Sequence, residues 1–236
     1  MHIGLVGGIG PAATVVYYER LVAAFRARGR VLELTIAQAD VQTLARNAEA
    51  DDRAAQAAVY ARHLEQLKGA GADFGSITSI GGHFCYAETE AITPLPLVSA
   101  IAPVDTGLAA RGVRCVGVLG TRQVTGSLLY GQLVQTQALA PAEIEAVHSA
   151  YVGMATSGQC TPDARALLFD EGARMIEQGA EAVLLAGTDL GLAFDGYDPG
   201  YPVIDALDLH VAHLVALAAG LGGTCEIAPN GRPDST

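Results

Sequence analysis

The chain has 236 residues, half of them hydrophobic, which is enough to bury a sizeable core in one or two domains. Its formal net charge of −11 with only 14 Lys and Arg excludes sequence-independent nucleic-acid binding, which needs clustered cations on phosphates. No apolar run approaches the roughly 20 residues of a membrane span, so no membrane partner is expected.

In chain order, apolar runs that read as buried strands alternate with segments of helical period. Strands are expected at Ile3–Val6, Leu32–Ala37, Phe74–Ile77, Leu97–Ala100, Val113–Leu119, Glu145–His148, Ala182–Leu185 and Val203–Ile204. Helices are expected at Ala12–Arg28, Ala54–Gly69, Val104–Arg111, Gly126–Ala138, Pro162–Gln178 and Leu207–Ala219. Such alternation predicts an α/β fold of mainly parallel sheets flanked by helices. Residues 220–236 carry Gly, Pro, Asn and Asp without periodicity and read as a flexible tail.

Two internal echoes divide the chain. Ile3-Gly4-Leu5-Val6-Gly7-Gly8 is answered by Val116-Gly117-Val118-Leu119-Gly120-Thr121, and Gly71-Ala72-Asp73 by Gly179-Ala180-Glu181. Near-equal offsets predict two pseudo-symmetric halves, 1–101 and 113–204, with the 207–219 helix packing on the first. The strand-end loops of both halves then face one cleft. Eight positions after Gly71 and Gly179 stand Ser79 and Gly187.

Two mechanism classes lose ground on composition. Lys68 is the only lysine and lies in a polar helix-like stretch, which argues against a pyridoxal phosphate Schiff base. Cys85, Cys115, Cys160 and Cys225 are scattered without metal-ligand or disulfide-framework spacing. Neither a metal nor an organic cofactor is expected. The strand-like opening, without a signal peptide, and the dispersed thiols make the cytoplasm the expected location.

The Gly-rich turn Gly7-Gly8-Ile9-Gly10-Pro11-Ala12-Ala13-Thr14 followed by Tyr17-Tyr18 resembles the opening signature of the cofactor-independent aspartate/glutamate racemase superfamily. Phe74 through His83, Leu119-Gly120-Thr121 with Thr125 and Tyr130, Thr188-Asp189-Leu190, and Val203-Ile204-Asp205 with His210 follow that family's patterns in order. The resemblance implies a small amino-acid-like or dicarboxylic substrate, an isomerase, and pairing into a homodimer. It also implies two cysteines flanking the substrate carbon, one taking a proton and the other returning it from the opposite face.

Both positions have changed. Ser79 stands where the first thiol belongs, followed by Ile80 and Gly81, and Gly187 stands where the second belongs. Cysteine has a pKa near 8.5 that proteins lower further, whereas a serine hydroxyl needs an adjacent base and glycine has no side chain. Two-cysteine racemisation is therefore not expected. The candidate catalytic residues are Ser79 and His83, which lies four residues on and could pair with the hydroxyl or serve a structural role. Candidate binding residues are Gly8, Thr14, Ser79, Ile80, Gly81, Thr121, Thr125, Gly187 and Thr188, although each threonine is equally suited to cap a helix. Arg46 and Arg53 are the nearest cations for a distal carboxylate. The alternatives to isomerase-like chemistry are a decarboxylase or other lyase on the same carboxylate cradle, and a binding homologue without catalysis.

Overall fold

The computed structural model describes residues 1–8 and 11–220. The expectations for Ile9, Gly10, Cys225 and most of the C-terminal tail lie outside the described residues. The first half runs β1 (His2–Gly7), α1 (Pro11–Ala27), β2 (Glu33–Gln38), α2 (Val41–Glu49), α3 (Arg53–Gly69) and β3 (Phe74–Ile77). A 3-10 turn (Ile80–Cys85), α4 (Tyr86–Ile92), β4 (Leu97–Val98) and α5 (Ala102–Ala110) follow. The second half runs β5 (Cys115–Leu119), α6 (Arg122–Gly126), a 3-10 turn (Leu129–Gly131), β6 (Gln137–Leu139), α7 (Ile144–Ser157) and α8 (Pro162–Glu177). It ends with β7 (Ala182–Leu185), a 3-10 turn (Thr188–Leu190), α9 (Gly191–Phe194), β8 (Val203–Asp205) and α10 (Ala206–Ala218).

Two four-stranded sheets result, in the orders β2-β1-β3-β4 and β6-β5-β7-β8, with every pairing parallel. The repeat seen in the sequence is thus a repeat of topology. Ile3 lies between Leu34 and Phe74 as Val116 lies between Ala138 and Ala182. Central strands β3 and β7 are buried at every position, which is why they read as unbroken apolar runs.

Two expected elements were misplaced. Glu145–His148 is helical, part of α7, because Val147, Tyr151 and Met154 recur at helical spacing and pack on one core cluster. The expected Gly126–Ala138 helix stops at Gly126 and gives way to a turn and β6. Its cause is distant in sequence: the buried Asp105 carboxylate accepts N–H bonds from Val134 (3.0 Å), Gln135 (3.0 Å) and Thr136 (3.2 Å). Those bonds draw the segment straight so that Gln137 pairs with Cys115. Helices α2 and α4 were not anticipated. Asp40 caps α2, accepting from Thr43 N at 2.8 Å.

The helix after each sheet covers the other sheet. Val104 and Leu108 of α5 pack with Val116, Val118, Ala182 and Leu184 of the second sheet. Leu207, Val211, Leu214 and Val215 of α10 pack with Ile3, Leu5 and Phe74 of the first, and with Tyr17 and Leu21 of α1. Each such side chain contributes roughly 1.5–3 kcal/mol when fully buried. A buried chain adds direction: Tyr17 donates to His210 Nδ1 (2.5 Å), His210 Nε2 donates to Ser76 Oγ (3.0 Å), and Ser76 donates to the Val98 carbonyl (2.9 Å). This chain ties α10, which follows the second sheet, to α1, β3 and β4 of the first half. Among the described residues no helix is long and apolar enough to cross a membrane.

Candidate functional site

At the C-terminal end of β3 the chain leaves the sheet through Thr78 and Ser79, the place where parallel α/β sheets present ligands. Thr78 Oγ1 donates to the Val6 carbonyl (3.2 Å), so the 2.9 Å bond between the two threonine hydroxyls runs from Thr14 to Thr78. Thr14 is therefore buried and tethers α1 to this loop. Ser79 is extended, half-buried, and caps no helix with its side chain. Its hydroxyl has no hydrogen-bond partner among the described residues.

The 3-10 turn that follows is held from both halves. Ile80 packs on the core cluster that contains Val124 and Leu129 of the second half. Tyr130 donates its hydroxyl to the Gly81 carbonyl (3.2 Å), and Gln132 Nε2 donates to the His83 carbonyl (3.3 Å). Tyr130 reaches Gly81 from a backbone turn in which Leu128, Leu129 and Tyr130 all have left-handed φ, at 50°, 56° and 59°. Left-handed geometry costs about 1–2 kcal/mol per non-glycine residue, and it persists where packing over-determines it. Leu129 is fully buried, which supplies that packing.

His83 does not pair with the Ser79 hydroxyl. Its Nδ1 lies 2.8 Å from the Ser79 carbonyl and its Nε2 accepts the Ala100 N–H at 2.9 Å. A carbonyl can only accept, so Nδ1 carries the proton and both ring nitrogens are committed to backbone. The ring is fully buried, and that desolvation lowers its pKa to about 4. His83 is thus a neutral strut that fixes the carbonyl beside Ser79, and the expected role as partner base is corrected on this geometry.

The second half builds the corresponding loop differently. Thr121 caps α6, accepting from Val124 N at 3.4 Å, and the fully buried Thr125 donates to the Thr121 carbonyl at 2.9 Å. Both hydroxyls serve their own helix. Gly187, extended at φ −177° and ψ 136°, leads into Thr188–Leu190. Tyr151 of α7 stands against Gly187 and donates to Asp189 Oδ2 at 3.0 Å. Burial, then the negative charge of Asp189, pushes the Tyr151 phenol upward from its ordinary pKa. Sequence reasoning missed Tyr151 as a site residue; reading α7 as a helix from the spacing of Val147, Tyr151 and Met154 would have turned it inward.

Each loop packs against a helix of the other half. The turn after β3 touches α6, and the turn after β7 touches α1. At Gly8, after β1, a Cβ would stand 2.1 Å from Leu44 Cδ1, so a side chain there would displace the buried Leu44 of α2. A cavity of about 390 Å³ lies at the seam beside α4, lined by Arg53, Tyr86 and Glu88 from one half and Ser127, Tyr130 and Gln132 from the other. Ser79 and Gly187 do not line it. Arg53 is exposed there and pairs with Asp51 (3.2 Å) and Glu88 (3.9 Å), while Arg46 donates to Thr43. Cys85 is buried, its thiol pushed up to about 11 by desolvation. Among the described residues no group of three His, Cys, Asp or Glu could hold a metal ion.

Paired parallel sheets of one topology, each with a strand-end turn packed on a helix of the other half, define a two-half α/β protein. The sequence matches the Asp/Glu/Hydantoin racemase family over residues 6–214, and the chain belongs to that family. The fold is similar to that of an aspartate racemase homologue from Pyrococcus horikoshii, at TM-score 0.79 and 23% identity over 92% of this chain and 99% of that one. It is similar also to the Picrophilus torridus aspartate racemase, at TM-score 0.75 and 19% identity over 93% and 95%. Arylmalonate decarboxylase matches at TM-score 0.55 and 20% identity over 97% and 96%.

Proposed function

We propose that this chain is a cofactor-independent enzyme that forms and protonates a carbanion beside the carboxylate of a small acid, without a thiol. The observation that carries this reading is the unpartnered, half-buried Ser79 hydroxyl at the end of β3, among threonines whose hydroxyls serve the fold. Removing an α-proton needs a base. A neutral serine hydroxyl is none, and the His83 imidazole is committed to backbone. Loss of carbon dioxide needs no base, because the breaking C–C bond leaves its electron pair on carbon. A hydroxyl suffices to protonate that carbon. Decarboxylation of a malonate-type diacid therefore fits best, in line with the fold shared with arylmalonate decarboxylase. The carboxylate that stays would be held by the backbone N–H groups of Ile80, Gly81 and Thr188 and by the Thr188 hydroxyl.

Isomerase-like α-proton exchange is the second reading, favoured by the Asp189 carboxylate two residues beyond Gly187. Exposure of Lys68 on α3 supports working without pyridoxal phosphate. A cytoplasmic homodimer belongs to the same reading, supported by the family resemblance. The test is a panel of substituted malonates, dicarboxylates and amino acids incubated in deuterated water without cofactor. Release of carbon dioxide with deuterium in the product supports decarboxylation, and deuterium exchange without loss of carbon supports the isomerase. Absence of turnover, exchange and ligand-induced stabilisation across the panel overturns both.

A further inference from the structure

Gly187 has no side chain, yet the direction in which one would project is filled. An ideal Cβ at Gly187 would stand 2.5 Å from Tyr151 Cε2, 2.7 Å from its hydroxyl oxygen and 2.9 Å from Cζ. The ring is fixed there, since Tyr151 packs on the cluster that contains Val147, Leu185 and Leu190. Its hydroxyl proton is committed to Asp189 Oδ2. A phenol so placed is protonated at neutral pH and is no base. Giving up its proton would set a phenolate against the Asp189 carboxylate, a like-charge contact that burial makes costly. The wall is shaped like an acid–base group and is inert as one.

We propose that Tyr151 is a stereochemistry-determining residue: it seals the Gly187 face of the reacting carbon, so that the proton arrives from the Ser79 face alone and the product has a single configuration. This rests on the carbanion reading above. The C–C bond to the departing carboxylate breaks, its electron pair stays on carbon and carbon dioxide leaves. Carbon then takes the proton of Ser79 Oγ, and the serine oxygen recovers a proton from water, releasing hydroxide to solvent.

Two measurements test the proposal. The first needs no activity: alkylation of Gly187→Cys by iodoacetamide, located by mass spectrometry, is compared with that of Gly187→Cys/Tyr151→Ala, both checked for native circular dichroism. At least a tenfold faster alkylation in the double variant supports a sealed face, and equal rates overturn it. The second is chiral analysis of product from prochiral disubstituted malonates. Wild type should give one enantiomer, Tyr151→Phe should keep that selectivity because the ring remains, and Tyr151→Ala should lose it. Racemic product from wild type, or unchanged selectivity in Tyr151→Ala, overturns the role of Tyr151 and leaves the carbanion reading standing. Lack of turnover with every acid overturns that reading, while the alkylation rates still decide whether Tyr151 covers Gly187.

Discussion

The loops after β3 and β7 occupy equivalent places in two sheets of the same order, yet each is made rigid by a different means. The first is braced from behind: His83 spans the Ser79 carbonyl and the Ala100 N–H, leaving the Ser79 hydroxyl uncommitted. The second is braced from in front, by the Tyr151 ring standing where a side chain on Gly187 would begin. Duplication conserves the backbone path; what stands at the strand ends is set separately in each half.

The brace behind Ser79 should be the most costly to remove. His83→Ala leaves a cavity and two buried backbone groups without partners, and should destabilise the protein by roughly 3–5 kcal/mol in urea unfolding. A loss under about 1 kcal/mol would show that the loop does not depend on the imidazole. Acid should act on the same side of the comparison. Folding lowers the His83 pKa from 6.5 to about 4, so between these values the unfolded chain binds more protons and stability falls as pH drops. The expected loss is on the order of 3 kcal/mol across that window. His210, also lowered by burial, acts in the same direction. An unfolding midpoint that stays flat from pH 6.5 to 4 would contradict this.

On the Gly187 side the effect is steric. Gly187→Cys alone should cost about 1–3 kcal/mol by overpacking against Tyr151, and pairing it with Tyr151→Ala should recover part of the cost. Strict additivity in the double-mutant cycle would mean that the ring and position 187 do not compete. Across the seam, Tyr130→Phe removes one hydrogen bond to Gly81 and should cost about 1 kcal/mol in thermal or urea unfolding. Smallest in stability is Ser79→Ala, expected within about 0.5 kcal/mol because the hydroxyl bonds none of the described residues, but with turnover reduced on the order of a hundredfold. Full turnover in that variant would remove Ser79 from the chemistry.

What could be read from sequence follows what was local. Phe74–Ile77 and Ala182–Leu185 were legible because burial on both faces makes a strand uniformly apolar, and the Ser79 and Gly187 positions followed from the echo between halves. Strand β6 was not, since Gln137–Leu139 owes its extension to Asp105, more than thirty residues earlier. Thr14, Thr121 and Thr125 carry hydroxyls at the expected turns, but their partners, visible only in three dimensions, assign them to tethers and caps. Tyr151 escaped for the same reason: nothing near Gly187 in the chain announces which distant ring fills a missing side chain.

The reciprocal placement of α5 and α10 has a consequence for how the chain can be taken apart. Severed in the link between α5 and β5, each fragment would keep a helix meant for its neighbour and lack the one that completes the cover over one face of its own sheet. Two aggregation-prone pieces that become soluble only when co-expressed would be the signature of such mutual wrapping, making the molecule a natural split reporter whose reassembly rebuilds the fold.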